Sequence, residues 1–593
     1  MIQRASKILL LTLAAASGFA EPAFETHVRP ILKAHCFHCH GEGDELKGGL
    51  DLRLRRLIAS ATSDEGPVLS PGHPGQSRLV GVLRAGEMPK GEKKLSAQEI
   101  AVIEEWVAAG APTEGPEPEE APKGFLITRQ EREFWSFQPI QRPPLPAVQD
   151  PARARSALDL FVLARLEERG LGFASEADKP TLIRRAYLDL LGFPPSPEAV
   201  DEFAADHSPD AYERLVDHLL ESPHYGERWA RHWLDVAGYA DSNGFAEADS
   251  LRPHAWRYRD YVIRAHNDDK PWSQFIQEQL AGDELAGVTE QNAAALAQDS
   301  RVRELLAATG FLRTAPDGTA DEIPDQNLAR QTAVAETLKI VSSSLLGLSV
   351  GCAQCHDHRY EPISQVDYYR FRALFEPALD PKHWRNPNQS LVSLYTAEDR
   401  KKAEEIEAEA KKIDDEANAL RRELLEQVFA KEIAKLPEEI RETVKQARNT
   451  PRAQRTPEQI ALLKTHPSAD VQGALDLYDP AAHKKVQEKQ GEASKLRGTK
   501  PPQPFVSCVA ERAGQVPETF LFNRGDHEQP REKVEPAEME ILRASLARWD
   551  SSLANFGATN LASTGRRLAY ARWLTSGEHP LVPRVIVNRV WLN

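Results

Sequence analysis

The sequence predicts a mainly α-helical chain of several domains, with minor β content near its C-terminus. Three observations carry this reading. Apolar residues recur at helical spacing in stripes that end at glycine, as in Leu182, Ile183, Ala186 and Leu190 before Gly192. Serine-led caps stand before several such stripes, as in Ser96-Ala97-Gln98-Glu99. A long charged stretch carries Ile406, Ala410, Ile413, Ala417, Leu420 and Leu424 at alternating four- and three-residue steps, the spacing of a coiled coil. At 593 residues the chain exceeds what one hydrophobic core organises. Its net charge of −15 argues against a nucleic-acid partner, which needs a basic face, and against docking on an anionic membrane.

Residues 1–20 read as an export leader. Arg4 and Lys7 supply the charged start, Ile8 to Ala16 the apolar run, and Gly18-Phe19-Ala20 a small-x-small cleavage site. That run is too short to span a bilayer, and no other stretch is long and apolar enough. The expectation is a soluble, periplasmic or otherwise exported protein without a membrane span.

Residues 22–112 contain the run Cys36-Phe37-His38-Cys39-His40. This C-x-x-C-H spacing is the attachment signature of c-type haem. Two thiols three residues apart each add to one vinyl group of the porphyrin, and the following histidine is held where its imidazole reaches the iron. A helix over Phe24 to Lys33 delivers the chain into Cys36. Ser77 heads a second helix through Val82, and the Ser96 box opens a third that runs to Ala109 and stops at Gly110. A helix before the motif and a last helix packed across it make a cytochrome c-like module. Its sixth iron ligand is expected to be Met88, in Gly86-Glu87-Met88-Pro89, because the only other methionine of the mature chain is Met539. A thioether on the iron raises the potential and favours electron relay.

Residues 113–123 form an acidic, proline-rich linker. A helical domain is expected over 124–395, with a stripe of Leu158, Phe161, Val162 and Leu166 closed by Gly170, and caps at Ser196-Pro197 and Ser208-Pro209. Two aromatic-basic patches follow, Arg228 to Asp235 and Arg252 to Asp260. Such patches bind anions or sugars, but more often they are helix-packing faces whose arginines pair with nearby acids. A helix over Gln326 to Leu346 then runs into a second C-x-x-C-H, Cys352-Ala353-Gln354-Cys355-His356, and Ser364 opens another helix through Phe375. The two runs use four of the five cysteines. Zinc would need two further soft ligands near each pair, and only Cys508, in an apolar context, is left.

Residues 396–499 read as a charged helical or coiled-coil insertion broken at Pro437, with Lys484 to Leu496 as a candidate antiparallel return. Residues 500–566 read as mixed strand and turn, with Thr519 to Phe522 before the turn Asn523-Arg524-Gly525-Asp526. Residues 567–593 read as the start of a helical domain that stops in mid-helix.

The motifs therefore predict two covalent haem c groups, with Cys36, Cys39, Cys352 and Cys355 as attachment points and His40, Met88 and His356 as iron ligands. No methionine is near the second motif. His232 is the first candidate for its sixth ligand and His254 the second; the alternative for each is an ordinary hydrogen-bonded histidine. If that position is open, Asp357, His358 and Tyr360 are candidates for acid–base catalysis. Three functions follow: an electron-transferring dihaem cytochrome working with a redox partner protein, a haem-dependent oxidoreductase acting on a sugar or peroxide, or a carbohydrate-binding scaffold.

The order of parts resembles the planctomycete cytochrome C family, in which a small cytochrome module precedes two domains first catalogued as being of unknown function. The residues that carry the likeness are Cys36 to His40 with Met88-Pro89, Arg231 to Asp235 with Tyr239 to Gly244, Ala255 to Asp260, and Cys352 to Tyr360 followed by Asp367-Tyr368-Tyr369. They cover most of residues 22–380, and His579 to Asn593 resembles the opening of the family's last domain. The resemblance implies export and redox work linked to breakdown of complex carbohydrate.

Overall fold

The computed structural model describes residues 22–42, 45–119, 125–244, 249–320, 325–470, 475–546 and 562–593. The leader expected over residues 1–20 lies outside them. The described residues form two compact units, one within Met1–Ala293, Arg301–Leu391 and Ser507–Asn593, the other within Ala294–Ser300 and Val392–Val506. The protein is mainly α-helical, and among the described residues its strands form only two-stranded sheets.

In the first unit the chain begins with one wide helical turn, Phe24–Val28, and continues as α1 (Arg29–His35), α2 (Arg55–Ser60), α3 (Arg78–Arg84) and α4 (Ala97–Ala108). A small ladder, β1 (Thr62–Ser63) with β2 (Gly66–Pro67), lies between α2 and α3. Ser96 caps α4 as its sequence predicts: its hydroxyl accepts from the Glu99 amide, and the Glu99 carboxylate accepts from the Ser96 amide. These helices close on one core that contains Phe24, Leu32, Cys36, Phe37, Leu83, Ile103 and Trp106. The Phe24 and Trp106 rings stand 5.5 Å apart, and the Trp106 indole donates to the Pro112 carbonyl at 3.0 Å. Burial of either ring stabilises the module by about 2–3 kcal/mol.

The acidic segment after Pro112 is fastened to the module. Glu117 accepts from the backbone amides of Arg55 and Arg56, at 2.5 and 2.8 Å, at the free N-terminus of α2. Beyond it, α5 (Arg129–Glu133) is held by its own Thr128–Glu131 capping box. Glu131 then reaches back to α1, with Lys33 at 3.3 Å and Arg29 at 3.5 Å, while Arg29 also donates to the Leu126 carbonyl. Burial pushes the Glu131 carboxyl up, and the two cations together with the bonds from Thr128 more than reverse this.

Next come α6 (Ala157–Glu167), α7 (Lys179–Leu190), α8 (Pro197–Ala205), α9 (Ala211–Leu220), α10 (Pro223–Ala237), α11 (Trp256–Asn267) and α12 (Trp272–Leu285). Helix α6 differs from the expected stripe. Leu158 and Val162 face solvent and Leu163 is its buried residue, so the spacing foretold the helix but not its covered face. Ser208 does not cap α9 either; its hydroxyl donates to Asp206, and the helix starts three residues later. Residues of the aromatic-basic patches supply packing contacts. The Trp233 indole and the Tyr258 hydroxyl both donate to Gln279 Oε1, at 2.8 and 2.7 Å, while Arg259 pairs with Asp260 and Arg264 with Glu304. Arg252 donates to the carbonyls of Arg313, Thr314 and Ala315.

The chain continues through α13 (Ala293–Leu296), α14 (Ser300–Ala308), α15 (Gln326–Val341) and α16 (Gln365–Phe375). The second unit contains α17 (Ala397–Ala434), α18 (Glu438–Asn449), α19 (Pro457–Thr465), α20 (Leu475–Tyr478) and α21 (Pro480–Arg497). Helix α21 returns antiparallel along α17: Val486 packs near Leu424, Lys489 pairs with Glu416, and Arg497 pairs with Glu407 and Asp414. Ala410 and Ala417 of the predicted stripe are fully buried. A short ladder, β3 (Leu391–Ser393) with β4 (Phe505–Ser507), marks where the chain leaves and returns.

Back in the first unit, β5 (Thr519–Asn523) and β6 (Asp526–Val534) form an antiparallel hairpin, followed by α22 (Arg543–Leu546), α23 (Arg566–Leu574) and α24 (Val582–Leu592). Helix α23 packs on α12 through a buried ionic cluster. Arg567 donates to Asp283, and also meets Glu284 at 3.2 Å and Glu511 at 3.4 Å. Cys508 is buried, and burial pushes its thiol up to about 12, as expected of an inert thiol.

Candidate haem-binding site

Helix α1 ends at Cys36, whose amide donates to the Leu32 carbonyl at 2.7 Å. The chain then makes one more tight turn, with the His40 amide on the Cys36 carbonyl at 2.9 Å, so both cysteines and the histidine share a single loop. Cys36 is buried against the core while Cys39 is exposed. Burial, then the neighbouring Cys39, pushes the Cys36 thiol up to about 12. His40 keeps a buried Nδ1 without a hydrogen-bond partner in the structure. Met88 is half-buried in the loop after α3, its amide on the Val82 carbonyl at 3.3 Å, and Val82 packs on the same core as Cys36.

The second motif forms one short helical turn, Gly351–Gln354, capped by Cys355, and Cys352 and Cys355 are exposed free thiols. Two side chains of α16 grip its backbone: Gln365 and the Tyr369 hydroxyl donate to the Gln354 carbonyl, at 3.0 and 3.1 Å. His356 Nδ1 donates to the Asp357 carbonyl at 2.7 Å. A carbonyl only accepts, so that nitrogen carries the proton, and in the neutral imidazole the lone pair then lies on Nε2. This is the tautomer that an iron ligand requires, and the residues of this motif fit the group.

The three catalytic candidates differ in setting. His358 is buried and holds the loop: its Nδ1 accepts from the amides of Tyr360 and Glu361, and Nε2 faces the Ser349 hydroxyl at 3.4 Å. Burial lowers its basicity. Asp357 accepts from the Gln365 amide at the start of α16, and burial pushes its carboxyl up. Only Tyr360 is freely exposed. His232 sits on α10 beside Trp229, with ring centres 5.4 Å apart, and its charged neighbours are Arg228, Asp235 and Arg231. Those around His358 are Glu361, Lys33 and His356. The two sets share no residue. His254 instead lines a small cavity with Tyr239, Arg252, Tyr258 and Arg313.

The two motifs, more than 300 residues apart in the chain, are neighbours in the fold. Lys33 of α1 acts electrostatically on both Asp357 and His358. Glu42, two residues past the first motif, is pushed up to about 7 by burial and then by Asp357. A cleft of about 420 Å³ lies alongside, lined by Arg29, Lys33, Phe134 and Phe137 on one side and Tyr360 and Glu361 on the other. Among the described residues no group of three or more His, Cys, Asp or Glu is arranged to hold a metal ion unaided. No helix among them is long and apolar enough to cross a membrane.

Residues 36–92 match the family model described as Planctomycete cytochrome C, and residues 157–379 match one described as a protein of unknown function, DUF1549. No curated protein and no solved structure matches the chain. The first match implies a covalently bound haem c in the N-terminal module.

Proposed function

We propose, starting from a chain that carries a planctomycete cytochrome C module ahead of a DUF1549 domain, that it is an exported dihaem c-type cytochrome relaying electrons to or from a redox partner protein. The observation that carries this reading is the hydrogen bond from His356 Nδ1 to the Asp357 carbonyl, which leaves Nε2 free beside two exposed thiols. The nearness of the motifs, read from the effect of Lys33 and Glu42 across them, supports exchange between the two groups. Haem supplies reversible one-electron chemistry at its iron when bound. The chain's own residues do the rest. Cys36, Cys39, Cys352 and Cys355 anchor the porphyrins, His40 and His356 offer imidazoles, and Met88 offers a thioether to the first iron. Lys33 and Arg29 place positive charge between the motifs.

A second reading, haem-dependent oxidation or reduction of a small sugar or peroxide, is favoured by the cleft beside the second motif, where Tyr360 and Phe134 expose aromatic faces among Arg29, Lys33 and Glu361.

The test is mass spectrometry after denaturation of protein matured in a host that attaches haem. Two added haem groups are expected, one lost in Cys36→Ala/Cys39→Ala and the other in Cys352→Ala/Cys355→Ala; an unmodified mass overturns the proposal. Met88→His is expected to abolish the thioether-to-iron absorption band and to lower one potential. Two low-spin haems indifferent to cyanide favour relay, and a cyanide-binding haem favours the second reading.

A further inference from the structure

The β5–β6 hairpin turns at Arg524 and Gly525, both at positive φ (52° and 79°), as a two-residue type I′ turn requires. Its tip rests on the second motif: a Cβ built on Gly525 would stand 2.6 Å from Cys355 Sγ and 3.4 Å from the Gln354 carbonyl oxygen. Gln365 Nε2 donates to the carbonyls of both Gln354 and Phe522, tying hairpin and motif together. Phe522 also meets the Tyr369 ring edge-on at 5.1 Å.

Past the tip the strands lose register. Asn523 pairs with Asp526, but Phe522 pairs with Pro530, so His527, Glu528 and Gln529 form an extra loop in β6. Bulges of this kind re-aim side chains beside functional sites. This one is pinned from within: Asp526 accepts from the Glu528 amide and from Gln529 Nε2, and Asn523 donates to Gln529 Oε1. Glu528 and Gln529 face solvent, while His527 is half-buried. An imidazole therefore stands two residues from the backbone that touches a haem-attachment sulfur. The remaining thioether, Met539, is fully buried.

We propose that His527 is the sixth ligand of the iron held by His356, with the hairpin as the cover of the second haem. The inference rests on the haem reading of the second motif. An iron with two imidazoles is low-spin and lacks the potential-raising thioether expected at the first.

The experiment is electron paramagnetic resonance and redox titration of the haem-loaded full chain, with the number of attached haems counted by mass on the same samples. Two low-spin ferric signals are expected. His527→Ala should convert one to high-spin and let that haem bind carbon monoxide when reduced; His527→Met should restore a low-spin haem at a higher potential. Two attached haems with spectra indifferent to both substitutions would overturn the ligand while leaving the dihaem reading intact, as would a second haem already high-spin in the native chain. A single attached haem would remove both.

Discussion

Arg567 and Asp283 face each other with no solvent exposure, joined by two parallel hydrogen bonds of 2.8 and 2.7 Å. Glu284 and Glu511 complete a ring of three carboxylates around one guanidinium. Burial first, then the neighbouring Glu511 and Asp283, pushes the Glu284 carboxyl up against the pull of Arg567, so one cation does not hold all three acids ionised.

Arg567→Met strands those acids in the core of the α12–α23 contact. The expected loss is about 3–5 kcal/mol of unfolding free energy, because breaking a buried pair leaves uncompensated charge. Denaturant titration measures it; a loss near zero would show that the ring is solvated.

Glu538 and His579 give opposite pH dependences. Burial pushes Glu538 from 4.5 up to about 7, so between those values the unfolded chain has released a proton that the folded chain keeps. Stability falls as pH rises through that window, by about 3 kcal/mol. Burial pushes His579 from 6.5 down to about 3, so its contribution rises with pH between 3 and 6.5. Glu538→Gln should make the fall shallower, leaving the share contributed by the raised Glu42 and Glu284 carboxyls, and leave the rise, as read by melting temperature from about pH 4 to 8.

Gly525→Ala adds a methyl where Cys355 Sγ already lies, at a φ that disfavours side chains. The expected outcome is incomplete haem attachment at Cys352 and Cys355 with normal attachment at Cys36 and Cys39. Peptide mass mapping distinguishes the two sites, and equal loading of both would show that the hairpin yields freely.

Glu131→Gln removes the carboxylate that Arg29 and Lys33 share. Loss of these charge-assisted bonds should cost about 2 kcal/mol and speed amide exchange in α1 and α5 before the rest of the module. Hydrogen exchange read by mass spectrometry reports it.

What was legible in the chain was local. The boxes at Ser96 and Ser364, the stop at Gly110 and the turn at Arg524-Gly525 each depend on residues within one turn of each other, and the structure has all of them. The antiparallel return of α21 on α17 was readable because a four-three stripe needs a partner along its length. Tertiary placement was not readable. Gln365 and Phe522 stand 157 residues apart, so nothing near Cys355 announces the hairpin above it. His232 stands between tryptophans in the sequence, yet Trp233 serves the core with Gln279. Leu158 and Val162 show the same limit: periodicity defines a face, and only packing decides whether that face is covered.

The grip of Glu117 on the first turn of α2, together with that of Glu131 on α1, has a kinetic meaning. An N-terminal carrier clasped on both flanks of its exit segment is a mounted socket and not a swinging arm. On the proposed reading, throughput is then governed by how often a soluble donor or acceptor collides with the exposed Cys39 rim, and it should scale with that partner's concentration and with ionic strength.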